Sequence, residues 1–287
     1  MSSTPDAKSR LRRAMLFVPA HSEKMVRKAT QLDVDCLIFD LEDAVAPHEK
    51  DAARQLLADL LPQLDFGNSE RLVRINPPAD SLDWRKDVDA VLGCVDGYVM
   101  PKAHEASEVA EVASYIAQVG SAGLSFHILI ESARGLVNLG DILERNPSLN
   151  SIILGAEDLA HDLHMPSTSN PYYIDFPRYD MLKWARVYGV QVIDSVFTDL
   201  AAEDGLREAA AHSRNFGFDG KLAIHPKQVA TIQQALSPTE QEVAFARRLL
   251  AASEGQGGAF AFEGQMIDLP IVLRASAVVA YADRLGV

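Results

Sequence analysis

FHILIESARGLVNLGDILERNPSLNSIILGAED, residues 126–158, reads as one repeating unit. An apolar run, FHILIE, ends in a carboxylate at Glu131. VNLGDILERN places its apolar residues at helical spacing, and NPSLN is a turn that stops the helix. A second apolar run, SIILGAED, then ends in Asp158. Two strands joined by a helix make a parallel crossover unit.

Six more short apolar runs lie along the chain: MLFVP (15–19), CLIFD (36–40), RLVRI (71–75), GYVMP (97–101), VQVID (190–194) and GKLAIHP (220–226). Helical periodicity fills most of the gaps. Eight such runs predict an α/β protein with a (β/α)8 TIM barrel over residues 12–236. Its active site would gather at the C-terminal strand ends. Ser22 is the expected N-cap of the helix after the first run. HMPSTSNPYYIDFP (164–177), rich in Pro and Ser, is expected to be a loop at the mouth. Residues 237–287 exceed what the barrel needs. They predict a C-terminal helical lid or oligomerisation arm, with one helix between Pro238 and Gly255.

Composition narrows the function. At 287 residues and 48% hydrophobic, the chain can fill one large core. No stretch is long and clean enough to span a membrane. The first dozen residues are polar and basic, with no apolar signal core, so a cytoplasmic location is expected. Cys36 and Cys94 lack metal-type spacing and read as reduced core thiols. A net charge of −13 argues against broad nucleic-acid or anionic-membrane binding. Lys24, Arg27 and Lys28 are either a solvated helix face or a local site for an anionic small molecule.

The strand ends carry the chemistry. Glu131 and Asp158 sit on adjacent predicted strands. Mg²⁺ takes one or two carboxylates and keeps positions for water and substrate, so the pair is the candidate metal site. Alternatively, each acid caps the following helix or pairs with a cation such as Arg134. Asp40, Glu42 and Asp43 crowd one strand end and resist full ionisation without a cation among them. They serve either metal-bound waters or the local structure. Arg74 suits a bidentate carboxylate clamp or a salt bridge to those acids. Arg13 and Lys102 invite the same two readings. His225 and Asp194 end the last two strands, as acid/base or mouth-lining groups or as structural caps. No Gly-rich phosphate loop follows strand seven or eight, no Lys ends strand six for a Schiff base, and no Ser-His-Asp or Cys-His signature appears.

The strings RAMLFVPA, DCLIFDLEDAVAPHEKDAAR, VRIN, PK, LIESARGLVN, GAEDLA, GFDGKLAIHPKQV and GQMIDLPIVLRA run across residues 13–283. In that combination the chain resembles the citrate lyase β-subunit-like family of the HpcH/HpaI aldolase superfamily. Stand-alone citramalyl-CoA and malyl-CoA lyases are the nearest match. The resemblance implies Mg²⁺ on Glu131 and Asp158, Arg74 as the substrate-binding arginine, and Arg13 near the thioester. It implies that Asp268 in the lid is an acid/base given to a neighbouring subunit, in a homotrimer or hexamer. The implied reaction is cleavage of a 3-hydroxy-carboxyacyl-CoA to acetyl-CoA and a 2-oxo acid. Three other readings stand beside it: a citryl-carrier-protein lyase subunit of a multi-subunit complex, an aldolase for free 4-hydroxy-2-oxo acids, and a non-catalytic barrel. Two departures bear on coenzyme binding. Ala20 stands where the family has Gly, and HSEK replaces its usual Asn/Arg-Pro-Lys continuation.

Overall fold

Hydrogen bonds join each apolar run in parallel to the next in sequence, and the last to the first. The computed structural model describes residues 10–79, 81, 83–120, 123–165 and 171–287. The barrel strands are β1 (Ala14–Pro19), β2 (Cys36–Asp40), β3 (Glu70–Arg74), β4 (Gly97–Met100), β5 (Ser125–Ile130), β6 (Ser151–Leu154), β7 (Gln191–Asp194) and β8 (Gly220–Ala223). Pairing of Ala14 with Lys221 through Leu16 with Ala223 closes the ring. The predicted barrel is therefore the one found.

Alternation along the strands explains the core. Met15, Cys36, Ile38, Leu72, Val99, Leu129, Ile153, Ile193 and Leu222 form one interior cluster, to which every strand contributes. Their sequence neighbours, such as Leu37, Val73, Ile128 and Ile152, are also fully buried. They face the outer helices, because successive side chains of a strand point to opposite faces. Those helices are α1 (Glu23–Ala29), α2 (Lys50–Leu60), α3 (Asp83–Ala90), α4 (Ala106–Val119), α5 (Ala133–Arg145), α6 (Ala156–Asp162), α7 (Pro171–Tyr188), α8 (Glu203–Phe216) and α9 (Pro226–Leu236). Ser22 caps α1 as expected, accepting from the Met25 N–H.

Two expectations change. SIILGAED is not all strand: β6 stops at Leu154, Gly155 is the N-cap of α6, and Asp158 lies in that helix's first turn. The segment 164–177 is helical from Pro171, with Pro177 inside α7; residues 166–170 lie outside the described ones. Proline is tolerated in a helix's first turn, where Pro171 lies, whereas Pro177 in the second turn has no N–H to give to the helix ladder.

The chain divides into two compact units, residues 1–233 and 234–287. The second contains α10 (Glu240–Ser253), a hairpin of β9 (Phe260–Phe262) and β10 (Gln265–Ile267), and α11 (Leu269–Leu285). Thr239 and Glu242 form a reciprocal capping box at α10. Glu263 and Gly264 take φ 47° and 79° at the hairpin turn, as a two-residue type I′ turn requires. Ala246, Leu249, Ile267 and Ala275 form this unit's own buried core. No helix among the described residues is long and apolar enough to cross a membrane.

Candidate active site

The C-terminal ends of the strands surround a cavity of about 440 Å³, lined in part by Asp40, Asp43, Arg74, Glu131, Gly155, Glu157 and Asp158. The predicted acids and Arg74 are thus brought together. Glu131 follows β5 directly and is only 5% exposed. Its Oε1 accepts the backbone N–H of Lys102 at 2.7 Å. Its Oε2 lies over Gly155, where a Cβ would come within 2.6 Å of that oxygen. Gly155 therefore makes room for the carboxylate, and φ −92° shows that its backbone needs no glycine for any other reason.

Burial pushes the Glu131 carboxyl up to about 8, and the nearby Glu42 and Asp158 charges add to that. Such a site gains from a cation. Asp158 is exposed, one turn into α6. Among the described residues no set of three His, Cys, Asp or Glu side chains could cage a metal. Two carboxylates opening on a cavity still suit Mg²⁺, which keeps most of its positions for water and substrate. The residues present therefore fit that ion. The alternatives for Glu131 are not realised, since Ser132 caps α5 and Arg134 pairs with Glu105.

Arg74 ends β3 and is almost fully buried. Its Nε and Nη2 donate to the two oxygens of Asp40 at 2.7 and 2.5 Å. Its Nη1 lies 2.8 Å from Glu42 and 3.6 Å from Asp43, and the guanidinium rests 4.8 Å above the Phe17 ring. Asp40 also accepts the N–H groups of Glu42 and Ala44, so it shapes the acidic loop as well as holding Arg74. Burial raises the Glu42 carboxyl despite Arg74 and the Lys102 ammonium, which reaches Glu42 Oε1 at 2.7 Å. Lys102 sits at φ 51°, a left-handed conformation that aims its N–H at Glu131 while its side chain meets Glu42.

Two expected positions move. Arg13 lies before β1, at the opposite rim. Its N–H, Nε and Nη2 all donate to Asp35, at 2.8, 2.9 and 2.7 Å. A six-residue strand separates it from the mouth by roughly 20 Å, so it is not among the residues this barrel brings to the site. Asp194 neither lines the mouth nor caps α8. It points outward from β7 into a buried group with Arg178, Lys221 and Ser213. The Nδ1 of His225 accepts the Lys227 N–H, at the start of α9. Asp268 caps α11, accepting the Ile271 N–H at 3.3 Å.

Gly155 and Phe17 were not singled out from sequence. The parity of MLFVP marks Phe17 as inward-facing, two residues beyond Met15. The glycine in GAED marks a close approach, but sequence could not say to what.

The family model for HpcH/HpaI aldolase/citrate lyase matches residues 13–226. The citrate lyase subunit beta of Leuconostoc mesenteroides subsp. cremoris is 35% identical over 285 residues, covering 96% of this chain and 94% of its own. The mitochondrial citramalyl-CoA lyase of Rattus norvegicus is 32% identical over 299 residues, covering 94% and 86%. The crystal structure of protein CitE from Mycobacterium tuberculosis, in complex with magnesium, acetoacetate and coenzyme A, superposes with a TM-score of 0.80. It is 32% identical, with 96% of this chain and 99% of that chain covered.

Proposed function

The chain belongs to the HpcH/HpaI aldolase/citrate lyase family, and from that premise we propose that it is a Mg²⁺-dependent carbon–carbon lyase. Its substrate would be a 3-hydroxy-carboxyacyl-CoA of the citramalyl-CoA or malyl-CoA type, and its products acetyl-CoA and a 2-oxo acid. The observation that carries this is the Glu131 carboxylate, buried beside Gly155 and opening on the same cavity as Asp158 and Arg74. The mitochondrial relative named as a citramalyl-CoA lyase supports the reaction. The CitE complex with magnesium and coenzyme A supports the ion and the thioester.

Glu131 and Asp158 would hold Mg²⁺, with Glu131 fixed by the Lys102 N–H. Bound there, the ion supplies Lewis-acid polarisation of the substrate's carboxylate and hydroxyl oxygens. Arg74, held by Asp40 and Glu42, presents its guanidinium to the charge that develops as the bond breaks. The hydroxyl would lose its proton to solvent water, the C2–C3 bond would break, and its electron pair would pass into the thioester enolate. Asp268 of a neighbouring copy would protonate the enolate carbon, and the C-terminal unit would then serve as a lid in a trimer or hexamer.

A coupled assay of the purified protein with Mg²⁺ tests the proposal. Release of 2-oxo acid from citramalyl-CoA or malyl-CoA, abolished by EDTA, is the expected result. No turnover by folded, Mg²⁺-binding protein would reject it. The 35% identity to a citrate lyase subunit beta favours one second reading, a carrier-protein-dependent citryl lyase. Turnover of a citryl group only on its carrier protein would establish that instead.

A further inference from the structure

The mouth of the barrel is chemically divided, and the division follows strand order. Among the described residues, the arc from β2 to β6 carries every titratable side chain that lines the cavity: Asp40, Asp43, Arg74, Glu131, Glu157 and Asp158. The arc β7–β8–β1 presents Val196, Leu222, Ile224, Phe17 and Pro19. None of these five side chains carries a charge or a hydrogen-bonding group.

That apolar wall continues the core upward. Leu222 belongs to the interior cluster, and Phe17 and Val196 pack on it. The wall is also fixed. Gln228 is 3% exposed. Its Oε1 accepts the Ile224 and His225 N–H groups at 2.9 and 3.3 Å, and its Nε2 donates to the Phe197 carbonyl at 2.7 Å. One buried amide thus ties the segment carrying Val196 to the segment carrying Ile224.

If the reading above holds, and this inference rests on it, the substrate's C3 hydroxyl and carboxylate turn toward Glu131 and Asp158. Two C3 substituents remain: the thioester arm runs out through the mouth to coenzyme A, and the other turns toward the opposite arc. A carboxylate there would lose water against hydrocarbon, and among the described lining residues the one cation near it is Arg74, over the Phe17 ring. It would also face five lining acids balanced by that one guanidinium, which the proposed reaction already turns toward the charge of the breaking bond. Hydrogen or a small alkyl group meets no such penalty, and an alkyl group gains contact.

We infer that Val196 and Ile224 are specificity-determining residues: their wall admits hydrogen or alkyl at the hydroxyl-bearing carbon and excludes a second carboxylate. Three coenzyme A thioesters that differ only at that carbon test it. Malyl-CoA carries hydrogen, citramalyl-CoA methyl, and citryl-CoA a carboxymethyl group. With the Mg²⁺-loaded protein, kcat/KM for citramalyl-CoA should exceed that for citryl-CoA by at least about 100-fold. Val196→Arg should shift that ratio toward citryl-CoA by at least about tenfold. Ile224→Lys, at a half-open position where folding is not at stake, should shift it the same way. Citryl-CoA cleaved by wild type within about tenfold of citramalyl-CoA would overturn the wall while leaving the lyase reading intact. So would an unchanged ratio in both variants. No cleavage of any of the three, with Mg²⁺ binding seen by calorimetry, would overturn the lyase reading and the wall with it.

Discussion

The backbone N–H of Lys102 reaches Glu131 Oε1 at 2.7 Å from a residue held at φ 51°. A non-glycine residue in that region costs about 1 kcal/mol, and here the strain accompanies two contacts to the site, one to Glu131 and one to Glu42. Lys102→Ala would remove the ammonium and keep the strain. Lys102→Gly would remove both. Both variants should lose kcat/KM to a similar degree, about tenfold or more, because Glu42 loses its Lys partner. The Gly variant should melt no lower than the Ala variant. A Gly variant that melts several degrees lower would show that φ 51° carries no strain.

Gly155→Ala offers a way to disturb the metal site without touching a ligand. The new Cβ would lie 2.6 Å from both Cβ and Oε2 of Glu131, so the backbone at one of the two residues must shift and displace the carboxylate. Mg²⁺ affinity by calorimetry should fall about tenfold or more, as when a group that orients a ligand is lost. Wild-type affinity in this variant would mean that Glu131 does not bind the ion.

Glu131→Gln and Asp158→Ala test the ligands themselves. Each should lower kcat/KM at saturating Mg²⁺ by at least about 100-fold and weaken Mg²⁺ binding. Neither change removes core packing, so far-UV circular dichroism should be unchanged. Near-wild-type turnover in either would remove that residue from the metal site.

Asp194 makes a prediction about stability. Burial by itself would raise its carboxyl, but Lys221, Arg178 and the Ser213 hydroxyl outweigh that and hold it well below the usual range. Asp194→Asn leaves two buried cations without this partner, and denaturant unfolding should show a loss of about 3–5 kcal/mol at neutral pH. The sign of the pH effect follows from the depressed carboxyl. Its contribution is full above about pH 4, where an unfolded Asp ionises. It is lost as pH falls through the lower folded value. The gap between wild type and variant should therefore stay constant from about pH 5 to 8 and narrow only in stronger acid.

The barrel was legible because each strand is a short apolar run bounded by turn residues, and CLIFD and β2 coincide residue for residue. Where reading failed, the apolar signal outlasted the strand. In SIILGAED the break is Gly155, and the acids beyond it belong to a helix turn. At 164–177 the cluster of Pro and Ser hid the start of α7, since Pro is also at home in a helix's first turn. The acids and Arg74 could be placed by topology alone, because strand ends of a barrel converge. Arg13 could not, because the resemblance supplied a role while its place before β1 assigned it to the far rim. The Lys102 N–H bond to Glu131 depends on a left-handed backbone and the room beside Gly155 on a missing Cβ, and no spacing encodes either.

Asp268 leaves one more consequence. Its carboxylate is the N-cap of α11, so a proton-transfer role would share the group with the helix it starts. Natural variation at this position is then squeezed from two sides. Asn keeps the cap and forfeits acid–base chemistry, and Ala forfeits both, with a cap worth about 1 kcal/mol. A lineage that abandoned the chemistry would drift toward Asn, Ser or Thr here. One that kept both the chemistry and the cap would hold Asp.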